Sequence, residues 1–294
     1  MYYRRKILLS LLQVFDNKLD KISLQKLLLL YTKQQAKPAF HFVPCKFGCY
    51  SFQANADLKT MEKYEMVKEG EKSWIKIDNK NYITELRDTD RNILKDIKRS
   101  YANKSADDLI QITYRTYPFF ALNSNIAERV LSSDAYEKIE EIRPKQEDTV
   151  LFTIGYEGRS LEEYLNRLII HNVKVLCDVR KNPLSMKYGF SKNQLKNACA
   201  VVGIEYIHMP EFGIESDKRQ ELHNQCDYDK LFHLYRQTTL VKTRDNQTDL
   251  VKLLVNKKRI ALTCFEANIH QCHRKHLAEE ITAHPDFNYE LQHI

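Results

Sequence analysis

The chain has 294 residues, of which 43% are hydrophobic and 29% are charged, a composition typical of a soluble globular protein with room for two domains. No apolar run is long enough to span a membrane. The apolar stretch near the N-terminus is interrupted by Gln13 and Asp16, and no small-residue cleavage site follows it. Seven scattered cysteines argue against a disulfide framework. These features predict a cytoplasmic protein without a signal peptide or membrane contact.

The net charge of +7 is concentrated in the first part of the chain. Residues 1–50 hold nine Lys and Arg against two Asp and Glu, which equals the excess of the whole chain. A concentrated basic segment suits a polyanion. The alternative is a solvated, lysine-rich face. We expect the N-terminal part to bind nucleic acid, DNA rather than RNA.

The N-terminal part is predicted to be mainly helical, with a hairpin. Helix, helix, helix and hairpin is the order of a winged helix. The aromatic segment 114–120 is a candidate contact between the two domains or between the subunits of a homodimer. The predicted elements are helices at 4–15, 24–34 and 55–67, a loop or short strand pair at 40–51, a hairpin of strands 74–77 and 81–86, and a polar, mostly helical segment at 88–142.

A charged stretch containing Pro144 precedes an apolar strand, so we divide the chain into domains 1–145 and 146–294. From there, predicted strands alternate with helices, which predicts a Rossmann-like α/β domain with a mainly parallel sheet. The predicted elements are strands at 150–154, 173–179, 204–209 and 259–264 with a short last strand near 287–291, and helices at 160–171, 191–201, 217–238, 247–256 and 272–283.

Four of these strands end in polar or glycine-containing loops. Because ligands of open α/β sheets lie beyond the carboxyl ends of the strands, a single pocket would collect these side chains. The candidate site residues are Gly155, Tyr156, Glu157, Arg159 and Ser160 after the first strand, Asp178 and Arg180 after the second, His208 in the third, and Cys264, Glu266, Cys272, His273 and Arg274 after the fourth.

Each loop also has a purely structural interpretation. Residues 155–160 can cradle an anion with backbone N–H groups, or they can form a tight turn in which Ser160 caps the next helix. Asp178 beside Arg180 can be a poised acid or one half of a fixed ion pair. The coincidence of such residues at successive strand ends favours a functional pocket.

Three motifs in this part of the chain resemble those of the DUF488 family of bacterial and archaeal proteins. They are Thr153-Ile154-Gly155-Tyr156, then Asp178-Val179-Arg180 followed by Pro183, then Cys264-Phe265-Glu266 followed by Cys272-His273-Arg274. The resemblance covers about residues 149–283 and implies the α/β fold and the pocket, although the family has no established function. Family members often have a histidine after T-I-G, whereas this chain has Tyr156-Glu157. The first 100 residues are similar to a winged-helix-like segment that precedes the domain in some members.

The residue types of the pocket favour a hydrolase that acts on a nucleotide, at an N-glycosidic or phosphate ester bond. Carboxylates can activate water, and arginines recognise phosphate. We assign the general base to Glu266 or Asp178, and anion binding to Arg180 and Arg274. Cys264 and His273 are further catalytic candidates. The pocket would hold a small phosphorylated or nucleoside ligand.

Two other functions remain open. Cys264 at a strand end resembles the cysteine of rhodanese-like sulfurtransferases, although its loop lacks their compact ring of glycine and arginine. Alternatively, the protein is a DNA-binding regulator whose C-terminal domain senses an anionic ligand. We expect no cofactor and no metal, because adjacent Cys-His pairs rarely both bind one ion and C-x7-C is not a usual zinc spacing.

Overall fold

The computed structural model describes residues 1–215, 222 and 224–294, which form two compact units, Met1–Arg143 and Pro144–Ile294. The fold is of the mixed α/β class. The first unit is mostly helical, and the second contains the parallel sheet, as the sequence predicts. Part of the predicted helix at 217–238 lies outside the described residues. Across the described residues, no helix has the length and apolar character that crossing a bilayer requires.

The helices of the first unit surround a core of leucines and aromatic side chains. The second helix begins at Lys21, three residues before its predicted start, because the carboxylate of Asp20 accepts a hydrogen bond from the Ser23 backbone N–H. The helices are α1 (Tyr3–Val14), α2 (Lys21–Thr32), α3 (Phe52–Lys63), α4 (Asp88–Tyr101), α5 (Ala106–Thr116), α6 (Ala127–Val130) and α7 (Ser133–Ile142).

The strands of the first unit form two small antiparallel sheets among the described residues. A three-stranded sheet has the order β1–β5–β4, and β2 pairs with β3 as predicted for residues 40–51. The strands are β1 (Lys18–Asp20), β2 (Val43–Cys45), β3 (Gly48–Tyr50), β4 (Val67–Glu69) and β5 (Ser73–Lys76).

The predicted hairpin of strands 74–77 and 81–86 is wrong in its second strand. The strand 73–76 pairs instead with β4, which precedes it in the chain. Residues 83–85 form a single 3₁₀ turn. The backbone N–H of Tyr82 donates to the side chain of Gln13, and its hydroxyl donates to Asp78. These bonds hold the segment against α1, where a strand would need its backbone groups for pairing.

Ion pairing neutralises part of the basic excess of residues 1–50. Lys26 is buried and donates to the carbonyl oxygen of Phe47. The pairs with acids from later in the chain are Arg4–Asp57, Arg5–Asp57, Lys6–Glu85 and Lys21–Glu69, at 2.6–2.7 Å between nitrogen and oxygen. The exposed basic residues of this segment are Lys18, Lys33, Lys37 and Lys46.

The aromatic segment 114–120 belongs to the core of the first unit. Tyr114 and Phe120 are buried, and Tyr117 and Phe119 pack against the same core. The rings of Phe42 and Phe120 meet edge to face, with 6.3 Å between their centroids. The aromatic side chains of this segment therefore pack mainly within the first unit, and a dimer or interdomain contact through it stays a prediction.

The second unit contains, in its described residues, a five-stranded parallel sheet with the order β10–β6–β9–β7–β8. The central strands are buried along their whole length because helices cover both faces. The strands are β6 (Val150–Gly155), β7 (Val175–Asp178), β8 (Glu205–His208), β9 (Arg259–Cys264) and β10 (Glu290–His293), and the helices are α8 (Leu161–Ile170), α9 (Lys192–Val201), α10 (Gln225–Tyr235), α11 (Arg244–Lys257) and α12 (His273–Thr282). A π-helical turn, Arg236–Leu240, follows α10.

Candidate functional site

The connections that follow the neighbouring strands β7 and β9 run in opposite directions across the sheet. The chain leaves β6 and β7 toward one edge of the sheet, and it leaves β9 toward β10 at the other edge. Ligands of open α/β sheets bind where neighbouring connections diverge in this way. The carboxyl end of β9, at Cys264, therefore lies at the position where such a fold forms its pocket.

The loop after β6 is tightly packed against the loop after β9. A Cβ atom on Gly155 would lie 1.9 Å from the carbonyl oxygen of Glu266, so only glycine fits there. The backbone N–H groups of Tyr156 and Glu157 donate to the carbonyl of Phe265 at 3.1 and 2.9 Å. These two N–H groups are thus occupied within the protein and do not face an open cradle.

Ser160 forms a capping box with Glu163 at the start of α8. Its hydroxyl accepts from the Glu163 backbone N–H, and its own backbone N–H donates to the Glu163 carboxylate. For residues 155–160, the geometry therefore favours the tight-turn interpretation. Within this loop, Glu157 is exposed and accepts from the Ala267 backbone N–H at 2.9 Å.

Asp178 and Arg180 form a buried ion pair at the end of β7. The Arg180 Nε donates to the Asp178 carboxylate at 2.8 Å, and Nη2 donates to its other oxygen. Tyr206 donates to the same carboxylate at 2.6 Å. Burial raises the pKa of the Tyr206 hydroxyl, and the neighbouring Asp178 charge raises it further. Both oxygens of Asp178 are therefore occupied.

The other end of the Arg180 guanidinium is also bound by the protein. Its Nη1 donates to the hydroxyl of Tyr156 at 2.8 Å and to the carbonyl of Phe190 at 2.9 Å. The rings of Tyr156 and Phe190 stack at 4.2 Å. Burial alone lowers the pKa of Arg180, but the hydrogen bonds and charge of Asp178 outweigh it and raise that pKa above its ordinary value. His208 adds a contact through Nε2, which lies 2.9 Å from the Arg180 carbonyl.

Cys264, Glu266, Cys272 and His273 meet at the end of β9, and we call them the thiol cluster. The Cys264 thiol donates to the Glu266 carboxylate, with 3.2 Å between Sγ and Oε2. Its Sγ also lies 3.6 Å from Nδ1 of His273. Cys264, Cys272 and His273 are buried, and Glu266 is half-buried. Both cysteines are thiols and not halves of a disulfide.

The backbone explains how neighbouring Cys272 and His273 approach the same partner. Cys272 is extended, with φ −132° and ψ 131°, and caps α12, whereas His273 is its first helical residue. The change of conformation between them turns both side chains toward Cys264. Their donor atoms and the Cys264 Sγ all lie within 4.8 Å of one another. Burial raises the pKa of the Cys272 thiol well above its ordinary value, and the neighbouring Cys264 adds to the shift.

The two remaining predicted arginines hold the loops of the site. Nη1 of Arg274 donates to the carbonyl of Glu266 at 2.6 Å. Its Nε is buried and has no hydrogen-bond partner among the described residues. Arg159 is half-buried and donates to the carbonyl of Gly155 at 3.1 Å. Anion binding by Arg180 and Arg274 stays a prediction, because both are engaged with protein oxygens.

A small cleft of about 120 Å³ lies elsewhere in the second unit, and none of the residues of the thiol cluster lines it. Tyr235 lines it, and the ring of Tyr235 meets the His273 ring edge to face at 5.7 Å between centroids. Sequence reasoning missed Tyr235, as it missed Phe190 and Tyr206. Each comes from a different element and is marked by no motif, so only the packing of the fold brings it to the site.

Comparison with known proteins identifies one domain. Residues 160–281 match the DUF488 family, described as a domain of unknown function. The chain thus contains a DUF488 domain in its C-terminal part, as the three motifs predict. No curated protein and no solved structure matches the chain.

Proposed function

We propose that the C-terminal unit is a hydrolase that breaks an N-glycosidic or phosphate ester bond of a nucleotide, with Glu266 as general base. The observation that carries this proposal is the position of Glu266. It is half-buried just after the central strand, and within the thiol cluster its carboxylate accepts a hydrogen bond from Cys264. A general base needs this combination of access and shielding.

The other two carboxylates are less suited to that role. Asp178 is fully buried, and its oxygens accept from Arg180 and Tyr206. A base in that state would have to lose its ion pair before it could accept a proton. Glu157 is exposed and accepts from the backbone of the neighbouring loop. The geometry therefore favours Glu266 over Asp178 as the base.

The geometry also favours hydrolysis over sulfur transfer. A sulfurtransferase thiol must reach the sulfur donor, whereas Cys264 is completely buried. Transfer of the outer sulfur of thiosulfate to cyanide is the direct assay. Thiocyanate formation by the wild-type chain, lost in Cys264→Ala, would replace the hydrolase proposal with the sulfurtransferase.

The N-terminal unit is the proposed docking module for nucleic acid, DNA before RNA. When the short pair β2–β3 is left out, its first elements are α1, β1, α2, α3, β4 and β5, in the order helix, strand, helix, helix, strand, strand. The first of these strands, β1, pairs with β5. This order and this pairing support a winged-helix arrangement. The exposed residues Lys18, Lys33, Lys37 and Lys46 supply its positive charge.

Binding to labelled single- and double-stranded DNA and RNA across a salt series tests the docking module. If each of those lysines meets one phosphate, log K falls against log salt with a slope of about −4. Replacement of Lys37 and Lys46 by Gln should reduce the slope by about 2. Lys252→Gln on α11 is the matched control and should leave the slope unchanged. Absence of binding at low salt would end the nucleic-acid proposal.

Turnover of the same oligonucleotides tests the hydrolase. Released base, released phosphate and strand breaks after alkali are measured for the full chain. Glu266→Gln should abolish turnover and retain binding, whereas Glu280→Gln, exposed on α12, should retain both. Unchanged turnover in Glu266→Gln would remove Glu266 from the mechanism. Thermal stabilisation by nucleotides without any turnover would favour the ligand-sensing regulator.

A further inference from the structure

We propose that Cys264, Cys272 and His273 together bind one zinc ion. Their three donor atoms lie within 4.8 Å of one another at the carboxyl end of β9. Two thiols and an imidazole are a donor set that zinc prefers, and a tetrahedral site of sulfur and nitrogen ligands is typical of that metal. This inference differs from the sequence-based expectation that the site holds no metal.

The distance between two of the donors fits a shared metal ion. Zinc–sulfur bonds of about 2.3 Å and zinc–nitrogen bonds of about 2.05 Å at a tetrahedral angle place the two ligand atoms about 3.6 Å apart. The observed separation of Cys264 Sγ and His273 Nδ1 is 3.6 Å. The two side chains are therefore already spaced as ligands of one ion.

The second nitrogen of His273 is held in the way that a metal ligand requires. Nε2 lies 3.0 Å from the carbonyl oxygen of Val179, to which it donates when it carries the ring proton. That tautomer leaves a lone pair on Nδ1, the nitrogen that faces Cys264. A hydrogen bond of this kind fixes the ring and its tautomer in metal sites.

Glu266 lies beside the three proposed ligands. The three ligands are buried, whereas Glu266 is half-buried and its Oε2 lies 3.2 Å from the Cys264 Sγ. The role of the ion rests on the proposed function: a zinc ion held there would supply a water of lowered pKa. Glu266 would take a proton from that water as its oxygen bonds to the substrate, and would pass the proton to the base or alkoxide whose bond to the substrate breaks. Zinc-dependent nucleobase deaminases divide the work in this way between cysteine and histidine ligands and a glutamate that is not a ligand.

Metal analysis of the purified full chain tests the site without a variant. We expect about one zinc ion per chain. Cobalt added to the metal-free protein should give the thiolate-to-cobalt charge-transfer band and the intense visible bands of a tetrahedral site. A chain that has no zinc and takes up no cobalt would overturn the proposal.

Variants locate the ion. Cys272→Ser and His273→Ala should each lose most of the bound zinc, with folding checked by circular dichroism. Cys177→Ala is the matched control, because Cys177 is equally buried on β7 and is not one of the three grouped donors. It should retain the full content. Zinc that persists undiminished in both ligand variants would be an adventitious ion only, and would overturn the proposal.

Zinc content and turnover, measured on the same samples, separate this inference from the proposed function. Bound zinc that depends on the three ligands, without turnover, supports the metal site and contradicts the hydrolase. Turnover by a chain that binds no zinc contradicts the metal site and leaves the hydrolase standing. In Glu266→Gln, we expect zinc to remain and turnover to disappear.

Discussion

Two polar clusters lie at the same edge of the C-terminal sheet and differ in the chemistry of their contacts. The ion pair of Asp178 and Arg180 is surrounded by protein partners on both sides, with Tyr206 on the carboxylate and Tyr156 on the guanidinium. The thiol cluster brings together groups that are weak partners for one another. Thiols are weak hydrogen-bond donors and acceptors, but their thiolates are strong metal ligands.

This difference indicates that one cluster has a structural role and the other a chemical role. A charged pair whose hydrogen bonds are all made is stable without a ligand, and it fixes the loops around it. A group of buried thiols with an imidazole has the residue types of a metal site. We therefore assign the Asp178–Arg180 pair to the architecture of the site and the thiol cluster to its function. The following predictions test that assignment.

The largest effect is expected for Asp178→Asn. The change leaves Arg180 buried without its counter-ion, so the free energy of unfolding should fall by about 3–5 kcal/mol. Denaturant unfolding of the full chain, followed at the C-terminal unit, measures it. Zinc bound per folded chain should stay the same. A fall below about 1 kcal/mol, with loss of turnover, would instead make Asp178 a catalytic group.

Gly155→Ala should have the next largest effect. The new methyl group would displace the Glu266 backbone, at a cost of about 1–3 kcal/mol in the free energy of unfolding. Because Glu266 moves with that loop, turnover should fall as well. The control is Gly203→Ala, where nothing lies within 4 Å of the added atom and only the positive φ of 79° is strained. Equal effects in both variants would contradict the close approach at Gly155.

Tyr206→Phe should cost only about 1 kcal/mol, the value of one hydrogen bond. The Asp178 carboxylate keeps its bonds from Arg180, so the ion pair survives. Comparison with Asp178→Asn in the same unfolding experiment separates the hydroxyl from the charge. A loss as large as that of Asp178→Asn would show that the tyrosine is essential to the pair.

The smallest effect at neutral pH concerns His276, which follows the thiol cluster on α12. Burial, with the Arg236 charge, lowers its pKa to about 4. The folded state binds a proton at His276 less readily than the unfolded state does. The contribution of His276 to the free energy of unfolding is therefore fully present above its unfolded pKa of about 6.5, and it is lost as the pH falls toward 4. His276→Gln should make the free energy of unfolding depend less steeply on pH in that window, by a slope that corresponds to less than one bound proton. An unchanged profile would contradict the shift.

The sequence predicts much of the C-terminal fold because alternating strands and helices leave a strong pattern. It does not predict that β9 lies between β6 and β7, since every central strand is equally apolar and accepts any neighbour. In the N-terminal unit, the short strand β4 carries only three residues and was missed. The alternation in residues 81–86 was misleading, because bonds of Tyr82 to Gln13 and Asp78 hold that segment as a turn.

For the candidate site too, the sequence predicts which residues are involved but not the contacts that they make. The motifs identify Asp178, Arg180, Cys264, Glu266 and His273 as a group at the strand ends, because polar residues directly after apolar strands are a local signal. They do not distinguish an ion pair from a general base. The spacing of Cys264, Cys272 and His273 argues against a common ligand, whereas the start of α12 brings their donor atoms together.

The sequence by itself determined that this chain contains a DUF488 domain and which edge of its sheet carries the polar residues, since both depend on local patterns. The tertiary structure alone decided the partner of each of those residues. Tyr206 binds Asp178, and Cys264 meets His273, because strand order and the capping of α12 set distances of a few ångströms. Hydrogen bonding and metal binding are decided at that scale, which no spacing along the chain records.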